Sequence, residues 1–184
     1  MTNLNSSDKD FLDAINDSDI VIESKRRDDI HHLGLLHREV HVWFFDKNHN
    51  IYFQERGMHK SSAGLLDASI GGHVDKGEEY ISSAIREGQE ESGISMLASD
   101  LILLTKFRGN AKNTKEGTTN NFFRSVYIYK NPVTDTAIKC EENHNFKKFS
   151  ISFLLNMSKQ DTMMFCKFVP THELPFVFKY LNNL

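Results

Sequence analysis

Between Gly72 and Ile94 the chain reads GHVDKGEEYISSAIREGQEESGI, a stretch that demands a helix carrying a concentrated charge. Glu87, Glu90 and Glu91 stand at i, i+3 and i+4, so a helix puts all three carboxylates on one face. Ile81, Ala84, Ile85 and Gly88 form the apolar stripe that the same helix buries. Like charges this close repel, and a surface helix gains nothing from clustering them. A divalent cation removes the conflict, and hard oxygen ligands suit magnesium or manganese. The competing reading is a plain acidic amphipathic helix; the glycines on either side and Arg86 at fixed spacing weigh against it. Gly93 supplies the expected C-terminal cap.

The remaining composition bounds the fold and the compartment. A chain of 184 residues, 39% hydrophobic and 26% charged, suffices for one domain with its own core. No apolar run approaches the ~18 residues of a membrane span. The polar start MTNLNSSDKD lacks the apolar stretch of a signal peptide, so a cytoplasmic protein is expected. Cys140 and Cys166 have no metal or redox spacing and are expected to be free thiols. A net charge of -3 argues against a dedicated nucleic-acid binder.

The pattern predicts a short helix over 8–16, a strand near 20–23, and a hairpin of 39–46 and 51–56 turned by KNHN. A strand over 65–70 leads into Gly71-Gly72 and the helix over 79–92. Strands over 100–107 and 122–130 flank a polar loop, 109–121. A last strand over 146–150, helical structure over 151–157 and a terminal helix over 175–184 complete an α/β layered domain.

The spacing of Gly72, Glu78, Arg86-Glu87, Glu90-Glu91 and Gly93-Ile94 resembles the Nudix box, Gly-x5-Glu-x7-Arg-Glu-U-x-Glu-Glu-x-Gly-U, with U aliphatic. Eight of nine constrained positions match, the exception being Gly88 at the first U, which leaves a gap in the buried stripe. The resemblance implies a mixed sheet between helices, an α/β/α sandwich over 1–184 with 1–34 an N-terminal extension packing on it. The runs LGLLHREVHVWFFD, QERGMHK and LLDASIGGHV are similar to the branch holding isopentenyl-diphosphate isomerases and related hydrolases, over roughly residues 20–156.

Isomerising an alkene needs an acid and a base on opposite faces of the carbon skeleton. The isomerase cysteine falls at Gly71, and its late acidic pair falls in Thr118–Phe122, which has no carboxylate. An isomerase is therefore disfavoured. The resemblance implies diphosphate contacts at Arg56 and Lys60, and a further base within Lys25-Arg26-Arg27, taken as Arg26. Lys106, Arg108, Lys112 and Lys115 offer a further positive field, although for Lys112 and Lys115 a solvated surface charge is the favoured reading. His37 and His73 match isomerase metal ligands, with His31 or His32 near the third. On a strand His37, Glu39 and His41 share a face. With no completing carboxylate evident, structural or substrate-contacting roles are favoured for these histidines.

The expected activity is magnesium-dependent hydrolysis of a diphosphate linkage in a small molecule. By resemblance Glu87, Glu90, Glu91 and the Gly71 carbonyl hold the metal, and Glu90 is the first choice to accept the proton of water. Arg86 and Glu78 pair to hold loop against helix. Glu116, Glu141 and Glu142 are alternative bases. A diphosphate-sensing domain without turnover and an RNA-end pyrophosphohydrolase are the rival readings. The group attached to the diphosphate and the oligomeric state stay open.

Overall fold

The computed structural model describes residues 10–58, 62–138 and 145–184. Its centre is β3 (Leu36–Trp43), whose residues are almost all buried because other strands flank it and layers cover both faces. β3 pairs antiparallel with β6 (Ile70–His73) and parallel with β8 (Thr118–Tyr129). β8 in turn pairs antiparallel with β7 (Leu101–Asn113), giving the sheet order β6-β3-β8-β7. A second sheet has the order β5-β4-β9, from Leu66–Asp67, Ile51–Glu55 and Asn145–Phe149. The chain is an α/β protein with a mixed sheet.

Alternation along β3 separates two environments. Val40 and Val42, followed by Phe44, pack with Ala84 of α2 (Tyr80–Ser92) and with Tyr127. On the other face, Trp43 packs with Val126, Ile128, Phe53 and the C-terminal residues Leu174, Val177 and Leu181 of α4 (Leu174–Leu181). The site of interest grows from the polar residues of that second face. Among the described residues, no helix is long and apolar enough to cross a membrane.

Several local expectations need correction. Residues 11–15 form strand β1, not a helix, and pair with β2 (Val21–Arg26) around a turn closed by the Asn16 side chain. A short apolar run satisfies both periods, and here Leu12 and Ala14 face Ile30 of α1 (Arg27–Leu33). The KNHN turn forms, with Asp46 accepting from the backbone N–H groups of Asn48 and Asn50. Its strands then diverge into different sheets after the bridge Phe45–Ile51. The polar stretch 109–121 is no loop: it is mostly β7 and β8, which pair as far as Asn113–Thr118. α3 covers Ile151–Leu155, capped by Ser150.

Gly88 leaves no hole. A Cβ there would lie 1.8 Å from Met96 Cε, so a methionine reaching in from beyond the helix fills the space that an aliphatic residue would occupy. The pair is therefore expected to be coupled. Met96→Ala should cost about 2–5 kcal/mol, and Gly88→Leu about 1–3 kcal/mol from overpacking. The double variant should cost less than the sum by at least about 1 kcal/mol in denaturant unfolding. Simple additivity would disprove the exchange.

Candidate active site

β6 is short and glycine-rich because α2 presses on it. A Cβ on Gly72 would fall 2.1 Å from Glu87 Oε1, so only glycine leaves the carboxylate its place. Glu91 Oε2 accepts from Gly71 N–H and from Gln54 Nε2, each at 3.2 Å. Arg86 ties the helix to its entry loop: Nη2 donates to Glu78 at 2.9 Å and to the His73 carbonyl at 3.1 Å. Its Nη1 lies 2.8 Å from Glu87 and 3.2 Å from Glu90. Burial works against the Arg86 charge, yet the hydrogen bond to Glu78 and the charges of Glu87 and Asp75 hold its pKa above the ordinary value. For Glu87 the balance is opposite. Burial, with Glu91 and Glu90 nearby, outweighs Arg86 and pushes the carboxyl up to about 7.

Glu87 and Glu91 form one wall of a cavity of about 410 Å³ that is closed by Gly71, Gly72, His41 and Asp67. Glu90 does not line it; its side chain is 44% exposed and is engaged by Arg86. The carboxylates expected to act together thus divide into an inward pair and an outer one. The inward pair fits a divalent cation: two oxygen donors under mutual repulsion, beside backbone that approaches closely for want of side chains.

Across β6 lies a second cluster. Ligand atoms of His31, His37 and His73 all fall within 4.8 Å of one another. His37 Nδ1 donates to the Leu35 carbonyl at 3.0 Å, so its buried Nε2 carries a lone pair, and that atom has no hydrogen-bond partner among the described residues. The Nε2 atoms of His31 and His73 are 3.2 Å apart, and Glu39 Oε1 is 3.7 Å from His73 Nε2. Burial, then the charges of His37 and Arg27, push His31 down to about 4; burial also lowers His37 and His73. Neutral imidazoles are what a borderline transition metal ligates, and these three fit one. His37, expected at the substrate, is fully buried and does not line the cavity, whereas His73 does.

Between and below the clusters runs a buried ionic network. Arg124 donates to Glu39 through Nη2 at 2.6 Å and to Glu173 through Nη1 at 3.0 Å. Glu173, fully buried, also accepts from His41 Nδ1 and from Trp43 Nε1, both at 3.0 Å. His41 is thereby fixed with its ring against Gly71, where a Cβ would lie 2.8 Å from His41 Cδ2.

Among the expected substrate contacts, Arg56 faces the cavity while bonded to Asp67 at 2.8 Å. Arg26 is corrected: it turns toward Asp10, 3.9 Å away, and its neighbour Arg27, first residue of α1, lines the cavity instead. The strand-to-helix switch at that point reverses which side chain looks inward. Lys60, Cys140, Glu141 and Glu142 lie outside the described residues. Glu116 sits at the distant tip of the β7–β8 hairpin, bonded to Asn113. Sequence reasoning missed Gln54, Asp67, Arg124 and Glu173. Only Gln54 had a local signal, sharing a strand face with Arg56 in QER.

Residues 35–163 match the family model described as the NUDIX domain. An uncharacterised Nudix hydrolase of Streptomyces coelicolor is 37% identical over 98 residues, covering 53% of this chain and 54% of the relative. An isopentenyl-diphosphate Delta-isomerase of Serratia proteamaculans is 36% identical over 87 residues, 47% of this chain and 49% of the relative. The match thus spans about half the length of these two relatives. In structure, DR0079 of Deinococcus radiodurans aligns with a TM-score of 0.61 at 21% identity, over 84% of this chain and 96% of that one. A MutT protein of Methanosarcina mazei aligns at 0.59 and 18%, over 80% and 94%. With its box on α2 and this fold around it, the chain belongs to the Nudix family.

Proposed function

We propose that this chain is a magnesium-dependent pyrophosphohydrolase cleaving a diphosphate linkage in a small molecule. The observation that carries it is the inward pair Glu87–Glu91 set against Gly71-Gly72 on one wall of a cavity that Arg27 and Arg56 also line. A bound divalent cation there supplies charge neutralisation for the diphosphate and a water of lowered pKa. The chain's own residues do the placing. Arg86 and Glu78 hold the helix to its loop, Gln54 and Gly71 N–H orient Glu91, and Arg27 offers a guanidinium to phosphate oxygens. Glu87 or Glu91, rather than the outlying Glu90, is positioned to take the proton of the attacking water.

The isomerase alternative fails on space as well as chemistry. Where the isomerase cysteine would need a side chain at position 71, the His41 ring stands, locked by Glu173. The sensor alternative leaves the retained carboxylate pair without a purpose. The test is a hydrolysis screen over nucleoside di- and triphosphates, prenyl and thiamine diphosphates, and nucleotide sugars. Release of phosphate or a monophosphate that stops with chelator and returns with magnesium is expected. Binding of a panel member without turnover would favour the sensor instead.

A further inference from the structure

The inner cavity opens past Arg56, Asp67, Asn120 and Arg124 into a much wider cleft of about 1040 Å³. That space is far more than a diphosphate needs, so it belongs to whatever the diphosphate carries. Its walls mix apolar side chains with charged ones. Five cationic side chains (Arg56, Arg124, Lys112, Lys115, Lys167) face three anionic ones (Asp28, Asp67, Glu116). With Arg56 bonded to Asp67 and Arg124 to Glu39 and Glu173, the charge left facing the cleft is that of three lysines against Asp28 and Glu116.

The two arginines are already committed, Arg124 to Glu39 and Glu173 and Arg56 to Asp67. The lysines are not. Among the described residues none of Lys112, Lys115 and Lys167 forms an ion pair; Lys167 Nζ has only the Asn110 carbonyl at 3.4 Å and the Phe168 ring beneath it. By contrast Lys106 on the same strand is spent on Asp19 outside the cleft. The β7–β8 hairpin extends the sheet beyond its core, and its polar tip carries Lys112 and Lys115 on the wall of this cleft. The buried Phe122, the half-buried Phe168 and the exposed Met58, with Ala63, Ala111 and Cys166, supply the apolar part of the wall.

We propose that this cleft is a site for a second anionic group, a phosphate or carboxylate on the far half of the substrate, held by Lys112, Lys115 and Lys167. The inference rests on the hydrolase reading for the position of the diphosphate. It selects diphosphate compounds with an anion on the attached group over otherwise identical neutral ones.

The test compares matched pairs differing by one group: UDP-glucose with UDP-glucuronate for a carboxylate, and NAD with NADP for a phosphate. In magnesium at low salt, kcat/KM should favour the anionic member of at least one pair by about tenfold, the sum expected of three exposed charge contacts. Which pair responds distinguishes the two anions. The ratio should fall to about one in Lys112→Ala/Lys115→Ala/Lys167→Ala, and should shrink in ~0.5 M salt as a steric preference would not. Equal rates within both pairs, or a preference that the triple variant keeps, overturns the site. If the wild type hydrolyses no member, the wider screen above decides the hydrolase reading, and calorimetric titration of the same four nucleotides decides the cleft alone. Tighter binding of an anionic member that the triple variant loses upholds it; equal binding, or none, overturns it.

Discussion

Glu91→Gln is expected to lower kcat/KM by at least about 100-fold while the metal-free protein melts no lower than the wild type. Loss of a group that merely orients a metal ligand already costs 10–100-fold, and Glu91 faces the cavity itself. Stability should move the other way. The glutamine carbonyl oxygen can still accept from Gly71 N–H, while the repulsion that helps raise Glu87 to about 7 is removed. A catalytic loss from misfolding would lower both quantities together, so the opposite signs are diagnostic. Glu90→Gln should cost about tenfold or less, because that carboxylate is half-exposed and turned to Arg86. Steady-state kinetics with thermal melts in chelator check the pair. Equal losses from Glu90 and Glu91 would show that the outer carboxylate is drawn inward on binding and acts with the inner pair.

The contrast between Glu90 and Glu91 also marks how far the sequence could be read. Spacing alone puts the three carboxylates on one helical face, and the helix begins and ends within a residue of where that spacing sets it. Which carboxylates look into the cavity depends on β6, whose glycines let Glu87 and Glu91 approach. The hairpin arm over 109–121 was illegible for a different reason. A strand is recognised by one buried face, and this arm borders a polar cleft instead of a core. Met96 was invisible as the partner of Gly88 because the two meet only after the chain turns at Gly93. Glu173 gives the clearest case. It lies 132 residues from His41, in a segment that reads as a helix entry, and nothing local marks it for full burial. Its role becomes visible only when three donors converge on it.

That convergence predicts the largest stability effect. Arg124→Met should destabilise the protein by about 3–5 kcal/mol, since it leaves Glu39 and Glu173 buried without their cation. For a chain of this size the melting temperature should fall by about 6–20 °C. The penalty is one of uncompensated charge, so adding Glu39→Gln and Glu173→Gln should recover much of it. Trp43 Nε1 and His41 Nδ1–H then keep a carbonyl acceptor at position 173. The same charges give the wild type its acid sensitivity. Burial alone would raise the Glu173 carboxyl, but His41 and Arg124 hold it below its ordinary 4.5, and Arg124 does the same for Glu39. Carboxyls depressed in the folded state contribute stability fully present above about pH 4.5 and lost as pH falls below it. The triple variant should therefore melt with a flatter pH dependence between about 5 and 3 than the wild type. A single Arg124→Met variant that melts within about 2 °C of wild type would show that water or local rearrangement neutralises the carboxylates. His41 would then no longer be held against Gly71 by a fixed Glu173, and the spatial case against a side chain at position 71 would weaken with it.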